Sequence, residues 1–309
     1  MTSHYLPRGL ANVSISSLIN FPNLSTPPIL SKTSHTTHKV IDMLRSGGVE
    51  MKTPKIKIYE NADWANQIKE TWAFVQKNYL ISTNFMCSTH IHISVRRDMP
   101  PSGGGLGMGL KNLKKIAQAA IHFEPALEPL LTEKRRGNIY VSSNWIDNAM
   151  FKKKEITRRV AIQMIEACKN EGDVINLMCP EPQNRYFAWN FRAMKRFGTI
   201  EYRKGSPSVN ASEALAWAEL TILFVDAALQ STPKSLAPIP ANVRGLKGFL
   251  GADKLKYLKP MFSRMNGAES LQPQLLIYNN LEEEEMLQRK LGADEEKQKR
   301  LAQGQQPGP

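Results

Sequence analysis

The sequence predicts an α+β domain in which one face of a sheet packs on helices and the other lines a polar cleft. Three observations carry that expectation. Short strand-like segments alternate with long amphipathic stretches between about residues 40 and 230. The run Thr89-His90-Ile91-His92-Ile93-Ser94-Val95 alternates strictly, so His90, His92 and Ser94 share one face and Ile91, Ile93 and Val95 the other. Trp64, Ile68, Trp72, Val75 and Tyr79 recur at helical spacing.

The remaining elements follow in order. Val49-Glu50-Met51-Lys52 reads as a short strand ended by Pro54. The glycine-rich stretch Gly103 to Gly109 is a connection into a helix that turns Leu113, Ile116, Ala120, Leu127 and Leu130 inward. It lacks the Gly-Lys-Ser/Thr ending and the GxGxxG spacing of a phosphate loop. A helix is expected over about Glu155 to Asn170. Gly198 to Arg203 reads as a strand with Glu201 and Arg203 on one face, and a helix over Ala211 to Gln230 closes the region. Glu219 and Asp226 inside that last helix argue for a core helix and against a membrane span.

A chain of 309 residues, 41% hydrophobic and 22% charged, has enough apolar surface for a sizeable core. The expected organisation is a disordered leader over 1–38, a patterned domain over 39–232, and a linker with a charged, partly helical tail over 233–309. The leader is rich in Ser, Thr, Asn and Pro, and the first acidic residue is Asp42. Cys87, Cys168 and Cys179 form no CxxC pair, which speaks against a disulfide scaffold or structural zinc. The expected setting is the cytoplasm, with mitochondrial import the lesser alternative. The net charge of +13 favours anionic partners without choosing among them. Aromatic and basic residues do not interleave as in a nucleic-acid-binding surface, so small molecules are the expected partners, with no specific nucleic acid and no membrane.

Two imidazoles two apart on a strand, His90 and His92, project side by side and can bind one metal or an anionic group. Glu50 and Glu201 sit on short apolar strands, where a carboxylate faces solvent or a cleft, or else is paired. Together these four make a mixed oxygen and nitrogen set suited to magnesium or manganese. Arg185 and Arg203 supply guanidinium forks for phosphate or carboxylate. Lys134-Arg135-Arg136 could do the same from a loop, but its first reading is a solvated charge run. His122 is expected to be structural within a core helix.

Several segments resemble, in the same order, the amidoligase family common in fungi, part of the wider glutamine synthetase and glutamate–cysteine ligase-like superfamily. Gly48-Val49-Glu50-Met51-Lys52-Thr53-Pro54 is similar to its Gly-Val-Glu-hydrophobic-x-Ser-Pro strand. Cys87-Ser88-Thr89-His90-Ile91-His92 resembles its Cys-Gly-x-His-Val-His strand. Phe123 to Leu127 and Arg136-Gly137-Asn138-x-Tyr140 resemble the following helix and loop. Arg185-Tyr186-x-Ala188-x-Asn190 leading to Gly198-Thr199-Ile200-Glu201-Tyr202-Arg203 is similar to the most specific motif of the family.

The resemblance implies a curved, mainly antiparallel sheet with helices on one face, holding ATP and Mg (or Mn) on its concave side. The implied reaction is ATP-dependent joining of a carboxylate to an amine through an acyl phosphate. By this analogy Glu50, His90, His92 and Glu201 are metal ligands or their neighbours. Arg136, Arg185 and Arg203 hold phosphate or substrate carboxylate. Members begin with a strand carrying paired acidic residues. Here no Glu precedes Glu50, so that strand is expected to be missing and a sheet edge to be left uncovered. The alternatives that stay open are a degenerate, non-catalytic relative that binds nucleotide or a partner, and a zinc-dependent hydrolase built on His90, His92 and Glu201.

Overall fold

The computed structural model describes residues 10–19, 49–53, 56–58, 64–79, 81, 83, 87–95, 108–132, 135, 141–151, 156–181 and 184–263. Its strands are β1 (Leu10–Ile19), β2 (Val49–Lys52), β3 (Ile56–Lys57), β4 (Thr89–Val95), β5 (Trp189–Asn190) and β6 (Ile200–Gly205). They form one open sheet of order β2-β1-β4-β6-β5, antiparallel at every pairing, with β3 beside β1 next to β2.

Residues 10–19, expected within a disordered leader, are therefore a strand in the interior of the sheet. The edge expected to be bare is covered. Leu10, Val13, Ile15, Leu18 and Ile19 supply enough strand-forming character for the pairing. The intervening Ser and Asn residues are what gave the segment the composition of a leader. β1 pairs along its length with β4, placing Ser14 opposite His92 and Ser16 opposite His90. The resemblance implies paired acids on a first strand; on β1 the register positions opposite the two histidines are Ser14 and Ser16.

The helices are α1 (Trp64–Asn78), α2 (Leu110–Leu127), α3 (Arg158–Ala167), α4 (Glu171–Met178), α5 (Ala193–Phe197), α6 (Ala211–Gln230), α7 (Pro233–Leu236), α8 (Val243–Leu250) and α9 (Lys259–Ser263). Helix α6 starts at Asn210, whose side chain accepts the Glu213 N–H. It packs against α1, α2, α8 and strands β1 and β4. Ile91 and Ile93 of β4 are fully buried on the helix side. Trp189 and Tyr202 project there too, with the Trp189 ring 4.8 Å from Phe224 and the Tyr202 ring 6.2 Å from Trp217. His90, His92, Ser94 and Arg203 are half-buried on the other face. The expected division into a packed face and a polar face holds.

Beyond residue 232 the expected linker is a packed extension as far as residue 263. Leu236, Leu246, Leu250, Leu258 and Phe262 are buried in the core. The buried Glu219 carboxylate accepts the backbone N–H groups of Lys256, Tyr257 and Leu258, fixing the approach to α9. The acidic run 282–285 and the helix expected over 281–301 lie outside the described residues. No helix among the described residues is long and apolar enough to cross a membrane.

Two glycines shape the polar face. Gly198 adopts φ 65° and ends α5, its N–H bonded to Met194 O at 3.1 Å, which turns the chain into β6. Gly205 lies so close to β4 that a Cβ would stand 2.6 Å from Thr89 O. Any side chain there would push the two site-bearing strands apart.

Candidate active site

Antiparallel register sets His92 opposite Glu201, and Glu201 opposite Asn190 of β5. Cross-strand partners share a face, so β4, β5 and β6 deliver their polar residues to one place. Glu201 is its hub. Its Oε1 lies 2.6 Å from Arg203 Nη1, 3.4 Å from His90 Nδ1 and 3.5 Å from His92 Nε2. Its Oε2 accepts Asn190 Nδ2 at 2.7 Å.

Burial alone would raise the Glu201 carboxyl. The hydrogen bond with His92 and the Arg203 charge outweigh it and hold the group well below the usual carboxylate range. His90 is pushed well below the usual imidazole range by burial first and by Arg203 next, against the pull of Glu201, so it is neutral at pH 7.

The outer nitrogen of each imidazole is engaged by a hydroxyl. His90 Nε2 is 2.7 Å from Ser88 Oγ, and His92 Nδ1 is 2.9 Å from Thr199 Oγ1. The tautomers that satisfy these rings place N–H toward Glu201 and accept from the hydroxyls. A hydroxyl can equally accept, so the same partners permit the opposite tautomers, with both inward lone pairs free. Among the described residues no group of three or more His, Cys, Asp or Glu is arranged to hold a metal ion. Instead, Arg203 neutralises Glu201. The inward imidazole nitrogens and Glu201 are donors of the kind that divalent ions take, with Oε1 occupied here by Arg203.

The structure thus brings together four of the seven residues expected to form the site: His90, His92, Glu201 and Arg203. Glu50 is on β2 opposite Leu18, with β1 between it and β4. Arg185 is exposed, its guanidinium 5.7 Å from the Tyr186 ring centre, and Arg203 lies 5.8 Å from the same ring. Arg136 lies outside the described residues.

Its neighbour Arg135 overturns the expectation of a solvated charge run. Arg135 is 1% exposed and donates Nη2 to Arg203 O at 3.1 Å. Its Nε and Nη1, and Nε of Arg203, are buried without hydrogen-bond partners among the described residues. Burial, then the nearby Arg203 charge, lowers Arg135 to about 10. Ser88, Thr199 and Asn190 are site residues that the sequence does not single out, and Arg135 is one that it offers only as a lesser alternative to a solvated charge run. Asn190 carried a usable signal, since Tyr186, Ala188 and Asn190 follow period two toward the β6 strand. The burial of Arg135 depends on a contact with Arg203 O that no local pattern announces. Cys87 and Cys179 are buried, and burial pushes the Cys179 thiol up to about 12, so this cysteine is no nucleophile.

Comparison with known proteins agrees with the ordered motifs. Residues 28–225, more than half of the chain, match the family model described as "Putative amidoligase enzyme". β1 lies before the matched stretch. No curated protein and no solved structure matches. The chain belongs to the amidoligase family.

Proposed function

We propose that the protein is an ATP-dependent carboxylate–amine ligase on a glutamine synthetase-like fold, working from the polar sheet face centred on Glu201. The observation that carries this reading is the pairing of one ionised carboxylate, Glu201, with two arginines that keep buried nitrogens (Nε and Nη1 of Arg135, Nε of Arg203) without hydrogen-bond partners among the described residues. A buried guanidinium with unmade hydrogen bonds is costly. An anionic group, phosphate or carboxylate, supplies the missing acceptors in the planar geometry that guanidinium favours.

A carboxylate does not condense with an amine directly, because oxide is a poor leaving group. Transfer of a phosphoryl group gives an acyl phosphate, whose phosphate leaves readily when the amine attacks the acyl carbon. The chain must bring two anions together and offset their repulsion. Arg203 and Arg135 serve that purpose, with Arg185 at the exposed rim and Arg136 next in the chain. Glu201, His90 and His92 would hold a divalent ion (Mg or Mn), which would supply charge neutralisation for the phosphates, while Glu50, on β2 with β1 between it and β4, stands apart from that ion. Ser88 and Thr199 fix the two imidazole rings for that task. Asn190 holds Oε2, so Glu201 keeps its orientation when Arg203 turns to the anion.

A second reading has its own observation. The β1 positions opposite His90 and His92 are Ser16 and Ser14, so this face has fewer carboxylates than the family pattern implies, as in a relative that binds nucleotide without turnover. One titration separates the two. Mg-ATP is added to the wild type and to Glu201→Ala, with bound nucleotide and ADP release followed in the presence of candidate amino acids. The ligase reading expects saturable binding, lost in the variant, and ADP release stimulated by a carboxylate and an amine together. Binding without release selects the non-catalytic relative. No binding in either protein overturns both.

A further inference from the structure

We infer that Asn144 is a positioning residue for the Glu201 site: its side-chain amide stands in for a neighbouring strand beside β5 and so sets Asn190 against Glu201. Strand β5 is only Trp189–Asn190 and lies at the end of the sheet order. An edge strand leaves backbone N–H and C=O groups to be satisfied on its outer side. Trp189 is 1% exposed, so water cannot serve.

The outer side is filled in two stages. Upstream, ordinary backbone pairing is made by Ser142, which donates to Tyr186 O at 2.7 Å and accepts from Ala188 N at 2.8 Å. At Trp189 the backbone partner gives way to a side chain. Trp189 N donates to Asn144 Oδ1 at 2.7 Å, and Asn144 Nδ2 donates to Trp189 O at 3.0 Å. A side-chain amide carries a donor and an acceptor like those of a peptide group, which is why it can continue a ladder that backbone has left. A carboxylate offers acceptors alone and an aliphatic side chain neither.

Asn144 is itself held from three sides. Its backbone N–H donates to Glu124 Oε1 of α2 at 2.9 Å. Its Nδ2 also reaches Met178 O, at the end of α4, at 3.2 Å. Asn148 ties the same turn to Leu177 O and Met178 O at 2.9 and 3.2 Å. The fully buried Asn144 therefore transmits the position of α2 and α4 to β5. The next residue, Asn190, donates Nδ2 to Glu201 Oε2 at 2.7 Å and accepts Arg192 N on its Oδ1 at 3.0 Å. Loss of the Asn144 amide frees Trp189, and with it the angle at which Asn190 meets the carboxylate.

The structural part of this inference is independent of the ligase reading; its effect on nucleotide binding rests on that reading. The test follows the side-chain amide resonances of Asn190 by ¹⁵N–¹H correlation in the wild type, Glu201→Gln, Asn144→Ala and Asn144→Ser. Glu201→Gln identifies the shift due to the carboxylate partner. The expected result is that Asn144→Ala moves the Asn190 amide protons in the same direction, with Asn144→Ser, which keeps one donor and one acceptor, in between. Mg-ATP affinity should fall about tenfold in Asn144→Ala, the scale of one hydrogen bond to a charged group. Should Asn144→Ala give no folded protein, Asn144→Ser carries the same comparison. Asn190 amide signals at the wild-type position in folded Asn144 variants overturn the inference. Shifted Asn190 signals with unchanged nucleotide behaviour in every variant, Glu201→Ala included, uphold it and count against the ligase reading instead.

Discussion

Glu201 and Glu124 are both buried carboxylates, yet the protein drives them in opposite directions. Strand β6 separates their surroundings, since Glu201 and Arg203 alternate with Tyr202 and Lys204 along it. On the polar face Glu201 has Arg203, Asn190 and two imidazoles around its oxygens and stays ionised. On the other side Lys204 is paired with Glu128. Glu124 has a share of the Lys204 charge, a hydrogen bond with the Ser143 side chain and the Asn144 N–H. Burial then dominates and raises Glu124 to about 7. Burial penalises both carboxylates; the donors and cations that remain unclaimed decide the outcome. The candidate site lies on the face where the charge is held.

The comparison breaks most sharply at Glu201. Glu201→Ala leaves Arg203 mostly buried without its counter-ion, and the expected loss is about 3–5 kcal/mol in urea unfolding at pH 7. A loss under about 1 kcal/mol, the scale of an exposed ion pair, would mean that water screens the cluster.

Glu124 gives the next effect, and its neighbour on α2 opposes it. With a folded value of about 7 against 4.5 unfolded, Glu124 makes stability fall as pH rises from 4.5 to 7. His122 is held neutral by burial and by the Arg158 charge, at about 4, with Nε2 donating to Ile239 O at 2.9 Å. Its unfolded state takes up a proton first, so stability falls as pH drops from 6.5 to 4. The two slopes cancel between about 4.5 and 6.5. Glu124→Gln should expose the histidine slope, with stability lower by roughly 2 kcal/mol at pH 4.5 than at pH 6.5. His122→Gln should expose the opposite slope. Urea titrations at several pH values check both, and slopes of the same sign in the two variants would contradict the assignment. The smallest effect is expected at Glu219→Gln, which keeps one carbonyl oxygen for the Lys256 to Leu258 amides, at about 1–2 kcal/mol read from the unfolding midpoint.

How much of this was legible follows from where the determinants lie. Strand β4 and helix α1 declare themselves by strict periodicity. Facing residues could be assigned on β6 because Glu201 and Arg203 are two apart. The place of His122 on an apolar helix predicts a structural role, and the ring is buried with Nε2 donating to Ile239 O. The β1 strand was hidden by serines and asparagines, which strands tolerate but which also mark unstructured leaders. β5 is two residues long, and its outer partner is a side chain from another loop, so no window of sequence contains its cause. Arg135 sits in a basic triplet whose default is solvent, and only the fold brings it against Arg203 O. The helices after residue 232 are short, and the first two start at polar caps, Thr232 and Asn242, so their apolar positions never build a visible period.

The position of β1 has a consequence for the order of folding. It is made before β2, β3 and β4, yet it pairs with β2 and β3 on one edge and with β4 on the other. During synthesis its two edges wait for partners that emerge later, and the β4–β6 pairing that completes the site waits for much of the remaining chain. Such non-local pairing favours slow folding, with an unpaired strand as the species open to wrong association. Among the described strands, β1 is thus the one that waits longest before any neighbour exists, and β4 the one that waits longest for its second.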